Sequence, residues 1–141
     1  MSEGNGHATE VHRVGPHVLE IEPPDVAHVH YDGDVELEHF KAFDDIISAI
    51  PPPIRVYILR DARRGGFITP EARAYAAKKV DVARVAAVVT YGSSFQARTV
   101  VAMMNKAVKL INSVNSGAGA VFFDTEQQAR AWISEHRVRS K

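Results

Sequence analysis

Apolar and polar residues alternate in two short segments in the first third of the chain. The first segment is His17–Glu22 (HVLEIE), the second spans residues 26–31 (VAHVHY), and a Pro-Pro-Asp break separates them. Alternation with a period of two is typical of half-buried strands, and a short break of turn-forming residues favours a tight connection. We therefore predict a β-hairpin in which His28 and His30 project from the same face of the second strand.

Helical spacing replaces the alternation after the hairpin. Asp34 precedes a segment in which Phe43, Ile47 and Ile50 fall on one helical face, and Asp is a favoured residue at helix N-caps. We predict a helix that is capped by Asp34 and runs to about Ile50, where three consecutive prolines stop it. Residues 54–59 (IRVYIL) are then nearly continuously apolar, which predicts a strand that is covered on both faces.

The second half of the chain alternates between helix starts and buried strands. Thr69, followed by Pro and Glu, predicts the N-cap of a helix that runs to about Lys79. The remaining predicted elements are the strands Val85–Tyr91 and Ala120–Phe123, a long helix from Ser93 or Ser94 to about Ile111, and a last helix that begins at a capping box of Thr125 and Gln128.

The resulting order of elements is β-β-α-β-α-β-α-β-α. Strands that alternate with helices after an opening hairpin predict a mostly parallel sheet with helices packed on it. The predicted fold class is therefore α/β, a single domain with a five-stranded mixed β-sheet and four helices. Residues 1–16 lack an apolar period and are predicted to form a flexible N-terminal tail, so that the domain spans residues 17–141.

Composition argues against several classes of protein. The 141 residues contain 17 Lys and Arg against 17 Asp and Glu, and we expect no nucleic-acid partner, because phosphate contacts need surplus cations. Cysteine is absent, which excludes disulfides and thiolate ligands. The apolar runs are far shorter than the ~20 residues of a membrane span, and no signal peptide is recognisable, so we expect a cytoplasmic protein.

The charge is segregated along the chain. Residues 1–54 hold 2 basic and 11 acidic residues, whereas residues 55–123 hold 11 basic and 3 acidic residues. A chain of zero net charge can therefore present a local basic patch, and the basic stretch is where we expect a partner to bind.

Two connections between a strand and a helix hold the candidate recognition residues. Ligands of open parallel sheets bind beyond the carboxyl ends of the strands, where arginines and helix N-termini can hold an anion. Alternatively, the arginines form salt bridges, and the Ser and Gly residues serve turns and caps. The candidates are Arg60, Arg63, Arg64 and Thr69 in the first connection, and Tyr91, Ser93, Ser94 and Arg98 in the second.

The long predicted helix has two adjacent apolar stripes. An apolar face of this width exceeds what covering one sheet face needs, so a second surface can cover part of it. We expect a homodimer whose interface includes Val101, Met104, Val108 and Ile111. The alternatives are ordinary core packing and a cavity that holds a ligand.

A metal site and a catalytic site are two further hypotheses for the polar residues of this sequence. His28 and His30 have a spacing compatible with a transition-metal pair, to which His17 or His39 could add a third ligand, but packed or exposed histidines explain the same pattern. A Ser-His-Asp arrangement has no nucleophile-elbow motif to support it. We expect no cofactor, no metal and no enzymatic activity.

Three stretches of sequence, in this order of elements, carry a family resemblance. They are VAHVHYDGDVELEHFKAF, IRVYILRDARRGGFITPEARAY, and VAAVVTYGSSFQARTV together with AVFFDTEQQARAWI. Over about residues 17–137 the chain resembles the SpoIIAA-like branch of the STAS superfamily. The superfamily includes anti-sigma-factor antagonists, and the branch is also compared with Sec14-like lipid-transfer domains. The resemblance implies a STAS-like fold and a bacterial regulatory module that binds a protein partner. It also implies an alternative, a carrier or sensor of a lipid-like or small anionic ligand.

Thr69 is the candidate for a phosphorylation switch. Family members that are switched in this way carry a Ser or Thr in an Asp-Ser type motif at the helix after the central strand. In this chain Ala62 follows Asp61, and the nearby hydroxyl belongs to Thr69, which also serves as a helix cap. The resemblance would therefore assign phosphorylation to Thr69.

Overall fold

The strands of this chain lie in the sheet in the same order as along the sequence. The computed structural model describes residues 9–79, 84–93 and 120–139. Within these residues six strands form one sheet, in the order β1-β2-β3-β4-β5-β6. The strands are β1 (Glu10–Val14), β2 (His17–Glu22), β3 (Val26–Val35), β4 (Val56–Ile68), β5 (Val85–Tyr91) and β6 (Ala120–Phe123), and the helices are α1 (Leu37–Ser48), α2 (Pro70–Lys79) and α3 (Glu126–Arg139).

The sheet is mixed, which confirms the predicted α/β class. β1, β2 and β3 pair antiparallel, whereas β3, β4, β5 and β6 pair parallel. The described residues form six strands rather than the five predicted, because residues 10–14 pair with β2 although the pattern places them in the N-terminal tail. Of these five residues only Val14 is buried. Their backbone pairing, rather than an apolar period, makes them a strand.

Three helices are described instead of four. The long helix predicted from Ser93 or Ser94 to Ile111 lies outside the described residues apart from Ser93, and so do the four residues of the predicted dimer interface. None of the three described helices combines the length and the hydrophobicity that crossing a membrane would require.

Helices pack on both faces of the sheet. On one face, Phe43 of α1 packs with Leu19 and Val29. On the other face, Ala129 and Ile133 of α3 pack with core residues of β4 and β5. Successive residues of β3 consequently enter different cores, as the two-residue repeat of a strand predicts.

Two of the three predicted caps are confirmed, and the third is wrong. Thr69 Oγ1 accepts a hydrogen bond from Ala72 N (3.2 Å), and the Thr125–Gln128 pair forms its capping box. Asp34, in contrast, lies within β3, and α1 begins after Glu36. The strand continues past the predicted cap because β4 pairs with it there, and Asp34 Oδ1 accepts a hydrogen bond from Phe67 N (2.8 Å).

The predicted connection that holds Arg60, Arg63 and Arg64 is also wrong, because residues 60–66 continue β4 instead of forming a loop. Pairing of β4 with β5 ends at Asp61 and Tyr91, but pairing with β3 continues to Ile68. Hydrogen bonds to β3 thus satisfy the backbone N–H and C=O groups of this polar, glycine-containing segment, and they make it a strand although its side chains show no strand-like pattern. Gly66 lies so close to β3 that a Cβ there would stand 2.9 Å from the carbonyl carbon of Gly33.

This close approach gives a test of the pairing between β3 and β4. We expect Gly66→Ala to lower the free energy of unfolding by about 1–3 kcal/mol, because the backbone of Gly33 cannot move away as a side chain can. Gly65→Ala is the matched control, since its Cβ would make only an ordinary 3.4 Å contact with Tyr31. Urea denaturation of both variants measures the difference. Equal stability of the two variants would contradict the close approach.

Candidate functional site

A cluster of charged and polar side chains lies on the face of the sheet that α3 covers. It forms where β2, β3, β4 and β5 meet the first turns of α3, and strand register determines its members: His28 lies opposite Glu20, and His30 lies beside Asp61. We call it the histidine cluster. Its members are Glu20, Glu22, His28, His30, Asp61, Arg63, Tyr91, Glu126 and Arg130.

His30 bridges two carboxylates. Its Nδ1 lies 2.8 Å from Asp61 Oδ2, and its Nε2 lies 2.8 Å from Glu20 Oε1. Burial disfavours the charged ring, but the hydrogen bonds to Asp61 and Glu20 outweigh burial and raise the pKa of His30. His30 therefore favours the imidazolium form, which donates to both neighbours.

Asp61 is held ionised inside this arrangement. Its Oδ1 accepts hydrogen bonds from Arg63 N (3.1 Å) and Arg63 Nε (3.0 Å), and its Oδ2 accepts one from Arg63 Nη2 (2.8 Å). Burial alone would raise the pKa of Asp61, but the hydrogen bonds from Arg63 and His30 hold it far below its usual range. Asp61 thus fixes one end of the His30 ring.

His28 has the opposite character, although it lies only two residues away. Its side chain is 3% exposed, and burial, followed by the charge of His30, lowers its pKa. Its Nδ1 lies 3.2 Å from Arg130 Nη2, which can only donate, and 3.2 Å from Glu22 Oε2, which accepts. Its Nε2 lies 2.8 Å from Tyr91 Oη. His28 is accordingly a neutral ring within a hydrogen-bonded chain.

Tyr91 and Arg130 connect the cluster to α3. The Tyr91 hydroxyl donates to Glu126 Oε1 (3.4 Å), and burial together with the charges of Asp61 and Glu126 raises the pKa of Tyr91. Arg130 donates to both oxygens of Glu22 (2.8 and 2.9 Å) and to Glu126 Oε2 (2.7 Å). The hydrogen bond from Arg130 lowers the pKa of Glu22. α3 is therefore joined to β2 by charge-assisted hydrogen bonds as well as by packing.

The structure brings one pair of the candidate recognition residues together and separates others. Arg63 lies over the Tyr91 ring, 5.5 Å from its centroid, in the histidine cluster. Arg60 donates to Tyr31 Oη (3.0 Å), and Tyr31 belongs to the core on the α1 side of the sheet. Arg64 lies 3.5 Å from Asp32 on the surface. Ser93 lies two residues beyond the end of β5, whereas Ser94 and Arg98 lie outside the described residues.

Thr69 has acidic surroundings. Besides capping α2, it lines an open pocket of about 290 Å³ with Glu36, Glu38 and Glu71. A phosphate on this hydroxyl would meet the favourable N-terminus of α2 but also three carboxylates.

His17 and His39, the predicted alternatives for a third metal ligand, lie elsewhere. His17 is buried on the α1 side, where its Nδ1 accepts from Asp32 N (2.9 Å) and its Nε2 donates to Asp34 O (3.0 Å). His39 packs against His17 and accepts from Glu36 N (3.0 Å). Glu20 stands beside His28 and His30 instead. The register of the predicted hairpin is the sequence signal that could have identified it.

Comparison with known proteins supports the fold. No protein-family model and no curated protein matches the chain. A solved structure is similar, that of an uncharacterised protein of the DUF3478 family with a SpoIIAA-like fold from Shewanella loihica PV-4. The two share 15% sequence identity over 94% of this chain and 98% of the other, with a TM-score of 0.52. The chain therefore has a SpoIIAA-like fold, which confirms the resemblance seen in the sequence.

The two histidines of β3 should give opposite pH dependences of stability. The pKa of His30 is raised from 6.5, so its contribution is fully present below the unfolded-state pKa and is lost as the pH rises through the folded-state value. The pKa of His28 is lowered, so its contribution is present above the unfolded-state pKa and is lost as the pH falls. We expect His30→Gln to destabilise the protein more at low pH, and His28→Gln to destabilise it more at high pH.

Urea denaturation in EDTA-containing buffer at about pH 5.5 and about pH 8.5, on either side of the ordinary histidine pKa, measures both effects. Each variant serves as the control for the other. Destabilisation that changes with pH in the same direction in both variants, or in neither, would be inconsistent with the assigned protonation states.

Proposed function

We propose that this chain is a non-catalytic regulatory module of the bacterial cytoplasm, and that it binds a protein partner through the projecting end of β4. The projecting end is defined as residues 63–67, which extend beyond the pairing of β4 with β5. The SpoIIAA-like fold supports this class of function, because the sequence resembles the SpoIIAA-like branch of the STAS superfamily, and that superfamily includes anti-sigma-factor antagonists. The structural neighbour is itself uncharacterised, so we infer the binding site from the residues of this chain.

The exposed aromatic residue of the projecting end is the observation that carries the proposal. Residues 63–67 are all exposed, and Phe67 is 60% exposed. The guanidinium of Arg73 lies 5.3 Å from the centroid of the Phe67 ring, and Arg64 pairs loosely with Asp32 nearby. Exposed aromatic residues and arginines are enriched in protein interfaces, and here the Phe67 ring and the Arg73 guanidinium lie together.

The protonation states in the histidine cluster support a role without catalysis. A general base must be unprotonated near neutral pH, but His30 is held towards its charged form between Asp61 and Glu20. His28 is neutral, but its side chain is nearly completely buried and bonded to Tyr91. Both rings are therefore better suited to holding the sheet and α3 together than to exchanging protons with a substrate.

The ligand carrier is the alternative function. In such a carrier, Arg60, Arg63 or Arg98 would hold the anionic head group of the ligand. Arg60 and Arg63 donate to Tyr31 and Asp61, so an anion would have to replace partners that are already in place. Dimerisation through Val101, Met104, Val108 and Ile111 stays a prediction, as does phosphorylation of Thr69.

Loss of the Phe67 ring should remove partner binding without unfolding the domain. We expect Phe67→Ser to lower partner capture at least about tenfold, as for an aromatic interface anchor, and to change the free energy of unfolding by no more than about 1 kcal/mol. Val138→Ser is the matched control, because Val138 is 74% exposed but lies near the end of α3. Quantitative affinity purification from the source organism, followed by binding of the purified partner to all three forms, measures the effect.

Two results would overturn the proposal. One is capture of the same partner, with the same affinity, by wild type and by Phe67→Ser. The other is native mass spectrometry in which the purified chain carries a small anionic or lipid-like molecule while no protein partner binds, which would favour the carrier.

A further inference from the structure

We infer that Glu20, His28 and His30 form a binding site for a zinc-like divalent transition-metal ion. The ligand atoms are Glu20 Oε1, His28 Nδ1 and His30 Nε2. The site goes beyond the proposed partner surface, residues 63–67 of β4, which includes none of these three residues.

The three ligand atoms already converge. Glu20 Oε1 lies 2.8 Å from His30 Nε2 and 3.7 Å from His28 Nδ1, and all three atoms lie within 4.8 Å of one another. Tetrahedral zinc, with bonds of about 2.0–2.1 Å, holds neighbouring ligand atoms roughly 3.3 Å apart. The two distances measured from Glu20 Oε1 bracket this spacing. Small side-chain rotations are enough to place an ion between them.

The second nitrogen of each histidine is already fixed, and this observation is independent of the convergence. Asp61 Oδ2 accepts from His30 Nδ1 (2.8 Å), and Arg63 in turn holds Asp61. Tyr91 Oη lies 2.8 Å from His28 Nε2. Metal-binding histidines characteristically donate their other N–H to a carboxylate or another acceptor, which orients the ring and selects the tautomer. Both rings of β3 have such a partner.

The charge of the histidine cluster suits a divalent cation. Its four carboxylates are Glu20, Glu22, Asp61 and Glu126, and its two guanidiniums are Arg63 and Arg130, which leaves an excess of two negative charges once the ion has displaced the Nε2 proton of the His30 imidazolium. His28 Nδ1 lies 3.2 Å from both Arg130 Nη2 and Glu22 Oε2, and coordination of the ion replaces these two contacts. Arg130 keeps its hydrogen bonds to Glu22 and Glu126.

Accessibility and ligand type define the kind of ion. The side chains of Glu20 and His30 are 31% and 32% exposed, so an ion can enter from solvent and water can complete its coordination. Two imidazoles and one carboxylate, in a chain without cysteine, match the ligands of zinc and its neighbours rather than those of calcium or magnesium.

Calorimetric titration of the full chain with Zn²⁺ tests the site. The protein is prepared without a histidine tag, treated with EDTA and dialysed. We expect one ion per chain, with binding at least about tenfold weaker in Glu20→Gln and in His30→Gln, and about 10–100-fold weaker in Asp61→Asn, which keeps all three ligands but weakens the support of His30. His12→Gln is the control, because His12 lies opposite Leu19 on β1, on the α1 side of the sheet. Its affinity should equal that of the wild type.

The inference would be overturned if the wild type did not bind Zn²⁺, or if Glu20→Gln and His30→Gln bound it as tightly as the wild type. Loss of binding in His12→Gln would overturn it as well. Circular dichroism shows whether each variant is folded. If a variant is not folded, a measurement on the wild type alone remains decisive. A single equivalent of Zn²⁺ should shift the NMR signals of the His28 and His30 rings and leave those of His17 in place. Unshifted His28 and His30 signals would contradict the site.

Discussion

The parallel pairing of β3 with β4 determines where the functional side chains of this protein lie. Its register places His30 beside Asp61, and a 2.8 Å hydrogen bond joins the two side chains. The same pairing carries β4 past the last residue that pairs with β5, and thereby leaves residues 63–67 exposed. One backbone interaction therefore positions both the histidine cluster and the proposed partner surface.

Charges that are segregated along the sequence meet in the fold. The acidic first third of the chain supplies β2 and β3, and arginines of β4 and α3 lie against it. Buried or partly buried pairs of this kind act mainly by fixing geometry, because each loses hydration when the pair forms. Within the described residues, carboxylates of the acidic first third therefore pair with arginines from later in the chain. The partly buried pairs are Glu22 with Arg130 and Asp25 with Arg137, whereas Asp32 and Arg64 form an exposed pair.

Local signals made most of the fold predictable, and non-local pairing explains the rest. The hairpin, β5, β6 and the caps at Thr69 and Thr125 depend on residues that are close in sequence. β1 and the end of β4 are strands because a neighbour pairs with them, which no side-chain period reveals. The period of β3 places His28 and His30 on one face. Asp61, Tyr91 and Arg130 reach them only through tertiary structure.

A double-mutant cycle between His30 and Asp61 tests most directly whether the register of β3 and β4 organises the site. Urea denaturation of His30→Gln, Asp61→Asn and the double variant, in EDTA-containing buffer at about pH 6, where the raised pKa keeps His30 charged, gives the coupling free energy. The structure predicts a coupling of at least about 1 kcal/mol, as for residues in one hydrogen-bond network. Strictly additive effects of the two substitutions would contradict it.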